Sequence, residues 1–385
     1  MTDIYRDIRP FFDSEIPDVI NEISSHPSFR ALVRYIYPIY EDEDKLNDFL
    51  GTIKTSDDFI SKITYVGLKK VLDKAAEKIT YFGLENVKKD TSYLYISNHR
   101  DILLDAVILN FYLIENNYDT SRIAIGDNLI KKPLIKTLAR LNKNFFVNRS
   151  SSSPREHLAN SMKLSSYIKQ SIFEENISIW IAQKGGRAKT GHDITNPAVL
   201  KMISMSREKG QGIVDYFQSL KLVPTSISYE YDPTDSLKIP ELLAKENEQE
   251  YKKHRNEDIQ NVAKGLFGQK KNISLSINKP LYEELEFVRG IKSENDKYKA
   301  IASIIDKEVI KSYKLWPTNY IAADIINNTD VYTNFYTEDE RKLFEKRIDI
   351  SSALFKNKEK EVRQNLLKMY SNPVFSYINI SDDDL

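Results

Sequence analysis

Tyr93-Leu94-Tyr95-Ile96-Ser97-Asn98-His99-Arg100-Asp101-Ile102-Leu103-Leu104-Asp105 is the stretch on which the reading of this chain turns. Residues 93–96 form an apolar run of strand length, and a helix-like segment over 102–113 follows almost at once. Between them stand a histidine and two carboxylates. A strand that ends in polar groups and turns into a helix is the unit of an α/β fold, which places its chemistry at such strand ends. Histidine with aspartate is also the minimum set for taking a proton from an alcohol or amine. The imidazole titrates near neutral pH, and a carboxylate fixes its tautomer and stabilises its cation.

The pattern repeats outward. Apolar runs at 123–125, 145–147, 177–182, 223–231 and 273–277 alternate with helix-like segments at 134–141, 155–173 and 199–217. This alternation predicts an α/β domain with a mostly parallel central sheet flanked by helices. Upstream, Phe12, Ile16, Val19, Ile20 and Ile23 recur at helical spacing, as do Phe29, Leu32, Val33, Ile36 and Tyr37. A short helix over 44–50 and a longer one starting at Ser56-Asp57-Asp58 and running towards Ile79 complete a predicted N-terminal helical bundle over 1–82, bounded by Gly83. The α/β domain is then expected over 83–285, with the lysine- and glutamate-rich stretch 243–256 as a solvated helical insertion. A C-terminal helical region covers 286–385 and ends in the acidic tail 381–385.

Composition narrows the partners. The 385 residues, 41% of them apolar, suffice for one large core or two to three smaller ones. Lys and Arg total 56 against 56 Asp and Glu, so no global field favours nucleic acid or an anionic membrane, and anion recognition has to be local. The absence of cysteine removes disulfides, thiolate metal sites and cysteine nucleophiles, and fits a reducing cytoplasm. The five histidines show no zinc spacing, so no metal site is expected. The N-terminus lacks the pattern of a signal peptide, and no window reaches the ~18 apolar residues of a membrane span. The expectation is a cytoplasmic protein that meets a membrane only at its surface.

Five constellations carry candidate chemistry. In the first, Asp101 occupies an N-cap position and Asp105 lies one turn beyond; the competing reading makes them a cap and a surface residue beside an incidental loop histidine. Asn98 adds a polar group at the strand end. In the second, Phe145-Phe146-Val147-Asn148-Arg149 delivers an arginine to a loop of four serines, Ser150 to Ser153, before Pro154. A guanidinium beside hydroxyls and a helix start suits a phosphate, although a plain surface arginine fits too. The third, Gln183-Lys184-Gly185-Gly186-Arg187-Ala188-Lys189, follows a strand with two glycines among three cations. It suits an anionic substrate, lacks the spacing of a Walker loop, and has a flexible basic turn as its alternative. Val223-Pro224 opens a strand with a proline that structure alone can explain. Gly126-Asp127-Asn128-Leu129 reads as a strand-to-helix turn whose Asp127 or Asn128 is a cap.

Taken in order, Asn98-His99…Asp105, Phe146-Val147-Asn148-Arg149, Gly185-Gly186-Arg187 and Val223-Pro224 resemble the glycerolipid acyltransferase superfamily, whose members acylate glycerol phosphate or lysophosphatidate. The chain is most similar to a bacterial soluble branch reading Asn-His-Arg-Asp-(apolar)2-Leu-Asp and later Gln-Arg-Glu-Gly-Arg-Ala-Lys. Ile125–Leu129 in sequence (Ile-Gly-Asp-Asn-Leu) and Tyr229-Glu230-Tyr231-Asp232-Pro233 extend the likeness. Two departures stand out. The family spacing would put the carboxylate at position 104, which is Leu104 here, so either Asp105 or Asp101 takes the role; Asp105 is favoured because Asp101 matches the cap. The glutamate of the third block is replaced by Gly185.

The resemblance implies direct acyl transfer from acyl-coenzyme A or acyl-carrier protein, acting as co-substrate, to the hydroxyl of glycerol 3-phosphate or a lysophospholipid. It implies His99 as general base with Asp105, or Asp101, behind it. Asn98, Arg149, Lys184, Arg187, Lys189 and Pro224 would form the acceptor site, and amides near Gly185 and Gly186 would contact the oxyanion. No covalent acyl-enzyme, metal or organic cofactor is required. A phosphorylated or carboxylated lipid acceptor implies peripheral contact at the inner face of the cytoplasmic membrane, for which Trp316-Pro317-Thr318-Asn319-Tyr320-Ile321 is a candidate, although packing against the main domain is the favoured use of these residues. Nucleic acid is not an expected partner. An N-acyltransferase making a glycine-type aminoacyl lipid, and a catalytically weak lipid- or carrier-binding relative, are the alternative readings.

Overall fold

The computed structural model describes residues 3–149 and 152–383. Ser150 and Ser151 of the second constellation, and the end of the acidic tail, lie outside the described residues.

The N-terminal segment is helical, as its periodicity predicts. It contains α1 (Ile16–Ser24), α2 (Pro27–Ile36), α3 (Glu43–Gly51) and α4 (Ser56–Phe59), then a π-helical stretch (Ile60–Tyr65) that runs into α5 (Val66–Ala75). Polar side chains accept from the free amides at the helix starts: His26 for α2, Asp42 for α3, and Thr55 with Asp58 as a capping box for α4. Their apolar faces close on one core that includes Ile16, Ile20, Phe29, Val33, Leu46 and Phe59.

The helix expected to reach Ile79 stops at Ala75. Residues Ala76–Phe82 are instead strand β1, where Ile79-Thr80-Tyr81-Phe82 supplies the β-branched and aromatic side chains that a pleated surface prefers. Gly83 (φ +82°) ends it, because a Cβ there would lie 1.9 Å from the Ile277 carbonyl oxygen.

The remaining strands are β2 (Leu94–Ser97), β3 (Arg122–Gly126), β4 (Asn144–Val147), β5 (Ile179–Ala182), β6 (Leu222–Tyr229) and β7 (Lys271–Ile277). They form one seven-stranded sheet in the order β1-β7-β6-β2-β5-β3-β4, parallel throughout except for the β6–β7 pair. The strands β2 to β6 therefore run the same way, and their C-terminal ends lie along one rim. Side chains alternate between two cores. Leu94, Ile96, Ile179 and Ile181 face one side, while Tyr93, Tyr95 and Trp180 face the other. A sheet covered on both faces reads as continuous apolar runs, which is how these strands appear in the sequence. Burying a side chain such as Ile179 contributes about 1.5–3 kcal/mol.

Crossovers supply the covering helices: α6 (Leu104–Glu115) after β2, α7 (Pro133–Leu141) after β3 and α8 (Pro154–Phe173) after β4. The single helix expected over 199–217 is two, α9 (Pro197–Ile203) and α10 (Ile213–Ser219). Gly210 (φ +88°) and Gly212 lie in the break between them. After β6, α11 (Asp235–Glu246) and α12 (Glu257–Phe267) form the insertion, and residues 247–256, expected to be helical, are the non-helical link between them.

Beyond β7, α13 (Glu283–Glu286) leads to α14 (Glu294–Ser312), which lays Tyr298, Ile301, Ile305 and Val309 on the first core. The helices α15 (Pro317–Asn327), α16 (Glu338–Ala353) and α17 (Glu359–Asp383) pack with α11 around Ile239, Ile321, Phe344 and Leu366. Trp316 and Ile321, offered above as membrane contacts, are buried here, and the Trp316 indole donates to Ser228 Oγ at 3.1 Å. Packing is their use. Among the described residues no helix is long and apolar enough to cross a membrane.

Candidate active site

Because β2 to β6 are parallel, the loops that follow them share one rim of the sheet. These loops carry His99, Asp127, Arg149 and Lys184–Arg187 in sequence, and β6 ends at Tyr229. Backbone bonds tie the first loop to the fourth: Gln183 N donates to Ser97 O at 2.8 Å and Ala188 N to His99 O at 2.7 Å.

His99 Nδ1 lies 2.8 Å from Asp105 Oδ2. The same oxygen accepts from the Arg100 amide at 2.6 Å and the Asp101 amide at 3.0 Å, while Oδ1 accepts from the Tyr229 hydroxyl at 2.8 Å. A carboxylate receiving three other donors acts as acceptor towards the ring, so Nδ1 carries the proton and Nε2 presents its lone pair. Among the described residues Nε2 has no hydrogen-bond partner, and the ring, 15% exposed, sits edge-on to Trp180 with centroids 5.9 Å apart. Asp105 is buried in the first turn of α6. Burial pushes the Tyr229 hydroxyl well above its ordinary range, and the neighbouring Asp105 charge adds to the shift, so Tyr229 stays a donor.

Asp101, the other candidate orienter, points elsewhere. The N-cap of α6 is Leu103 rather than the expected Asp101, which stands two residues earlier and whose Oδ1 accepts from the amides of Leu103 (3.0 Å) and Leu104 (2.9 Å). Oδ2 is buried with no partner among the described residues and abuts Gly265 on α12, where a Cβ would stand 2.1 Å away. Burial raises its pKa first, and the Asp105 charge raises it further. Nearby, Lys270 donates to the carbonyls of Leu266 and Gly268, and burial lowers its pKa to about 8.

Asn98 is a buried clamp. Its amide exchanges both hydrogen bonds with the backbone of Ile227 (3.0 and 2.8 Å) and donates to Asp193. Pro224 is also buried, paired with Ile96 across the β2–β6 ladder below the histidine loop.

The glycine loop divides its cations. Arg187 donates to Thr234 Oγ1 at 3.1 Å and Asn261 Oδ1 at 2.9 Å, both neutral, so its charge is not cancelled by a contacting carboxylate. Lys189 is ion-paired to Glu241 of the insertion. Lys184 is half-buried, and desolvation lowers its pKa against the pull of Asp193. Gly185 and Gly186 are exposed; a Cβ on either meets nothing within 4 Å, but Gly186 has φ +82°. Across the rim, Arg149 is exposed and its guanidinium lies against Gly126, where a Cβ would be 2.9 Å from Nε. Asp127, expected to be a cap, accepts from the Arg149 amide at 3.2 Å and so joins the turn after β3 to the loop after β4.

Supporting residues went unread in the sequence. Lys238, fully buried on α11, donates to the Arg100 carbonyl at 3.0 Å and pairs with Asp232. The buried Arg100 guanidinium bonds Gly191 O and Asp193. Beneath the histidine loop, a cavity of about 20 Å³ is lined by Arg100, Tyr229, Asp232, Tyr313, Asn319 and Tyr370 among others. It has room for a water but not for a substrate. No group of three potential metal ligands occurs among the described residues.

Residues 78–227 match the Acyltransferase family model, a segment that runs from β1 into β6 and includes the histidine loop, Arg149 and the glycine loop. The segment is an acyltransferase domain. No curated protein matches the chain. Among solved structures, the chain is similar to the crystal structure of the 1-acyl-sn-glycerophosphate (LPA) acyltransferase, PlsC, from Thermotoga maritima. The two are 16% identical, the match covers 77% of this chain and 94% of that one, and the TM-score is 0.35.

Proposed function

We propose that this acyltransferase moves a fatty acyl group from an acyl-coenzyme A or acyl-carrier-protein thioester to the hydroxyl of glycerol 3-phosphate or a lysophospholipid, with His99 as general base. The observation that carries the reading is the His99–Asp105 contact at the rim of the sheet, inside the segment that matches the acyltransferase family.

Nε2 would take the acceptor's hydroxyl proton as its oxygen attacks the thioester carbonyl. The tetrahedral adduct would then collapse, break the C–S bond and expel the thiolate, which recovers the proton from His99. Asp105 stabilises the imidazolium formed on the way. Arg149 and Arg187 are the cations best placed for the acceptor's phosphate, since Lys189 already has Glu241 and Lys184 lies among buried charges. The amides of Gly185 and Gly186 are the proposed oxyanion donors. Open space beside Gly185 favours one second reading, N-acylation of a carboxylated amine acceptor to make a glycine-type aminoacyl lipid.

The test supplies labelled acyl-carrier protein or acyl-coenzyme A with glycerol 3-phosphate, lysophosphatidate or an aminoacyl lipid precursor in parallel, and identifies products by mass. Transfer to at least one anionic acceptor is expected. If thioester is consumed no faster with any acceptor than without one, the proposal fails.

A further inference from the structure

In a chain whose charges cancel, residues 127–163 hold eight Lys and Arg against two Asp and Glu. The structure sorts these cations by place. Those away from the rim have partners: Lys143 pairs with Asp57, Lys163 with Asp7, and Arg140 donates to the Arg6 carbonyl. Those at or near the rim (Lys131, Lys132 and Lys136 around the start of α7, Arg149 after β4, Arg155 at the start of α8) are exposed and have no ion pair among the described residues. The two acids of the stretch, Asp127 and Glu156, bond only neutral donors and keep their charge, so the rim carries five cations against two carboxylates. The result is a net basic field beside the candidate site.

Apolar side chains stand among these charges. Ile135 on α7 is 44% exposed, and Leu158 and Met162, one turn apart on α8, are 59% and 42% exposed. Residues 152–159 are exposed throughout, so the first turns of α8 project from the fold. Arg155, Leu158 and Met162 follow i, i+3, i+7 spacing and form one stripe. Apolar side chains ringed by lysine and arginine are the composition of a helix face that rests in the headgroup layer of an anionic bilayer.

We infer that the first turns of α7 and α8 seat the rim on an anionic lipid surface, with Ile135, Leu158 and Met162 entering the headgroup layer and the five cations facing lipid phosphates. This contact would deliver a lipid acceptor to His99 without a membrane-spanning segment. It deepens the acyl-transfer reading and rests on it only for its purpose, because binding is measured without turnover.

The test is co-sedimentation of the full chain with vesicles of phosphatidylcholine alone and of phosphatidylcholine mixed equally with phosphatidylglycerol. Binding is expected only to the mixed vesicles and is expected to weaken with salt. Lys131→Gln/Lys132→Gln/Lys136→Gln should lower partitioning about a hundredfold, at about fivefold per cation. Leu158→Ser/Met162→Ser should lower it by about tenfold or more. Lys356→Gln/Lys358→Gln/Lys360→Gln, at exposed positions in the turn between α16 and α17 and at the start of α17, should change nothing. All variants should keep the wild-type melting temperature. Equal partitioning onto both vesicle types, or binding indifferent to the rim substitutions, overturns the inference. So does binding of an acidic acyl-carrier protein that the rim variants abolish while vesicles are ignored, which would assign the face to a protein donor.

Discussion

The Tyr229 hydroxyl donates to Asp105 Oδ1 at 2.8 Å while Asp105 Oδ2 faces His99 Nδ1 at the same distance. Tyr229 is the last residue of β6 and Asp105 lies in the first turn of α6, so two elements far apart in sequence fix one carboxylate. Tyr229→Phe keeps the buried ring and removes only the donor. It should lower kcat about tenfold, the worth of one hydrogen bond to a charged group, and leave KM near its wild-type value. Steady-state kinetics on the purified variant check this; an unchanged kcat would make Tyr229 a packing residue only.

Gly185 and Gly186 are neighbours with different demands. A side chain at Gly185 enters open space, so Gly185→Ala and Gly185→Glu should melt with the wild type. Gly186 has φ +82°, and Gly186→Ala should lose about 1–2 kcal/mol of stability through left-handed strain. Chemical denaturation of the three variants compares them directly.

The approach of α12 to Asp101 predicts coupling. Gly265→Ala places a methyl 2.1 Å from Asp101 Oδ2 and should cost about 1–3 kcal/mol by overpacking. In an Asp101→Ala background the same change should cost less, giving a coupling energy of about 1 kcal/mol in a double-mutant cycle. Equal costs in both backgrounds would show that α12 moves away freely.

Asp306 on α14 accepts from the Thr195 amide at 2.7 Å, and burial raises its pKa from 3.8 to about 6. The folded state therefore binds more protons than the unfolded state between those values. Its contribution makes stability fall as pH rises through that window, and the penalty is complete above about 6. Asp306→Asn keeps the acceptor and removes the charge. It should gain about 3 kcal/mol at neutral pH and flatten the dependence between pH 3.8 and 6, as measured by unfolding at several pH values.

Much of the fold was legible because strands buried on both faces leave unbroken apolar runs, as at residues 93–96 and 177–182. The His99–Asp105 pair was legible because both residues belong to one strand–loop–helix turn. Residues that reach the site from elsewhere were not. Tyr229 looks like core in an apolar strand, and Lys238 looks solvated in a helix rich in lysine and glutamate; only the tertiary fold brings them to the carboxylate and to the Arg100 carbonyl. Residues 76–82 misled because Ala76-Glu77-Lys78 continues a helical composition, and the pairing with β7 that makes it a strand is remote in sequence. Trp316 left two uses open in the sequence, since interfacial and buried aromatic residues share a composition, and its burial bears out packing, the favoured one.

The most direct test of the account is the acceptor-dependent rate of acyl-thioester consumption in wild type, His99→Ala and Asp105→Asn, at saturating acceptor. The account predicts that His99→Ala loses about 10³-fold or more and that Asp105→Asn loses about 10²-fold or more, while both bind acceptor normally. Acceptor-dependent turnover in His99→Ala equal to that of the wild type would contradict it.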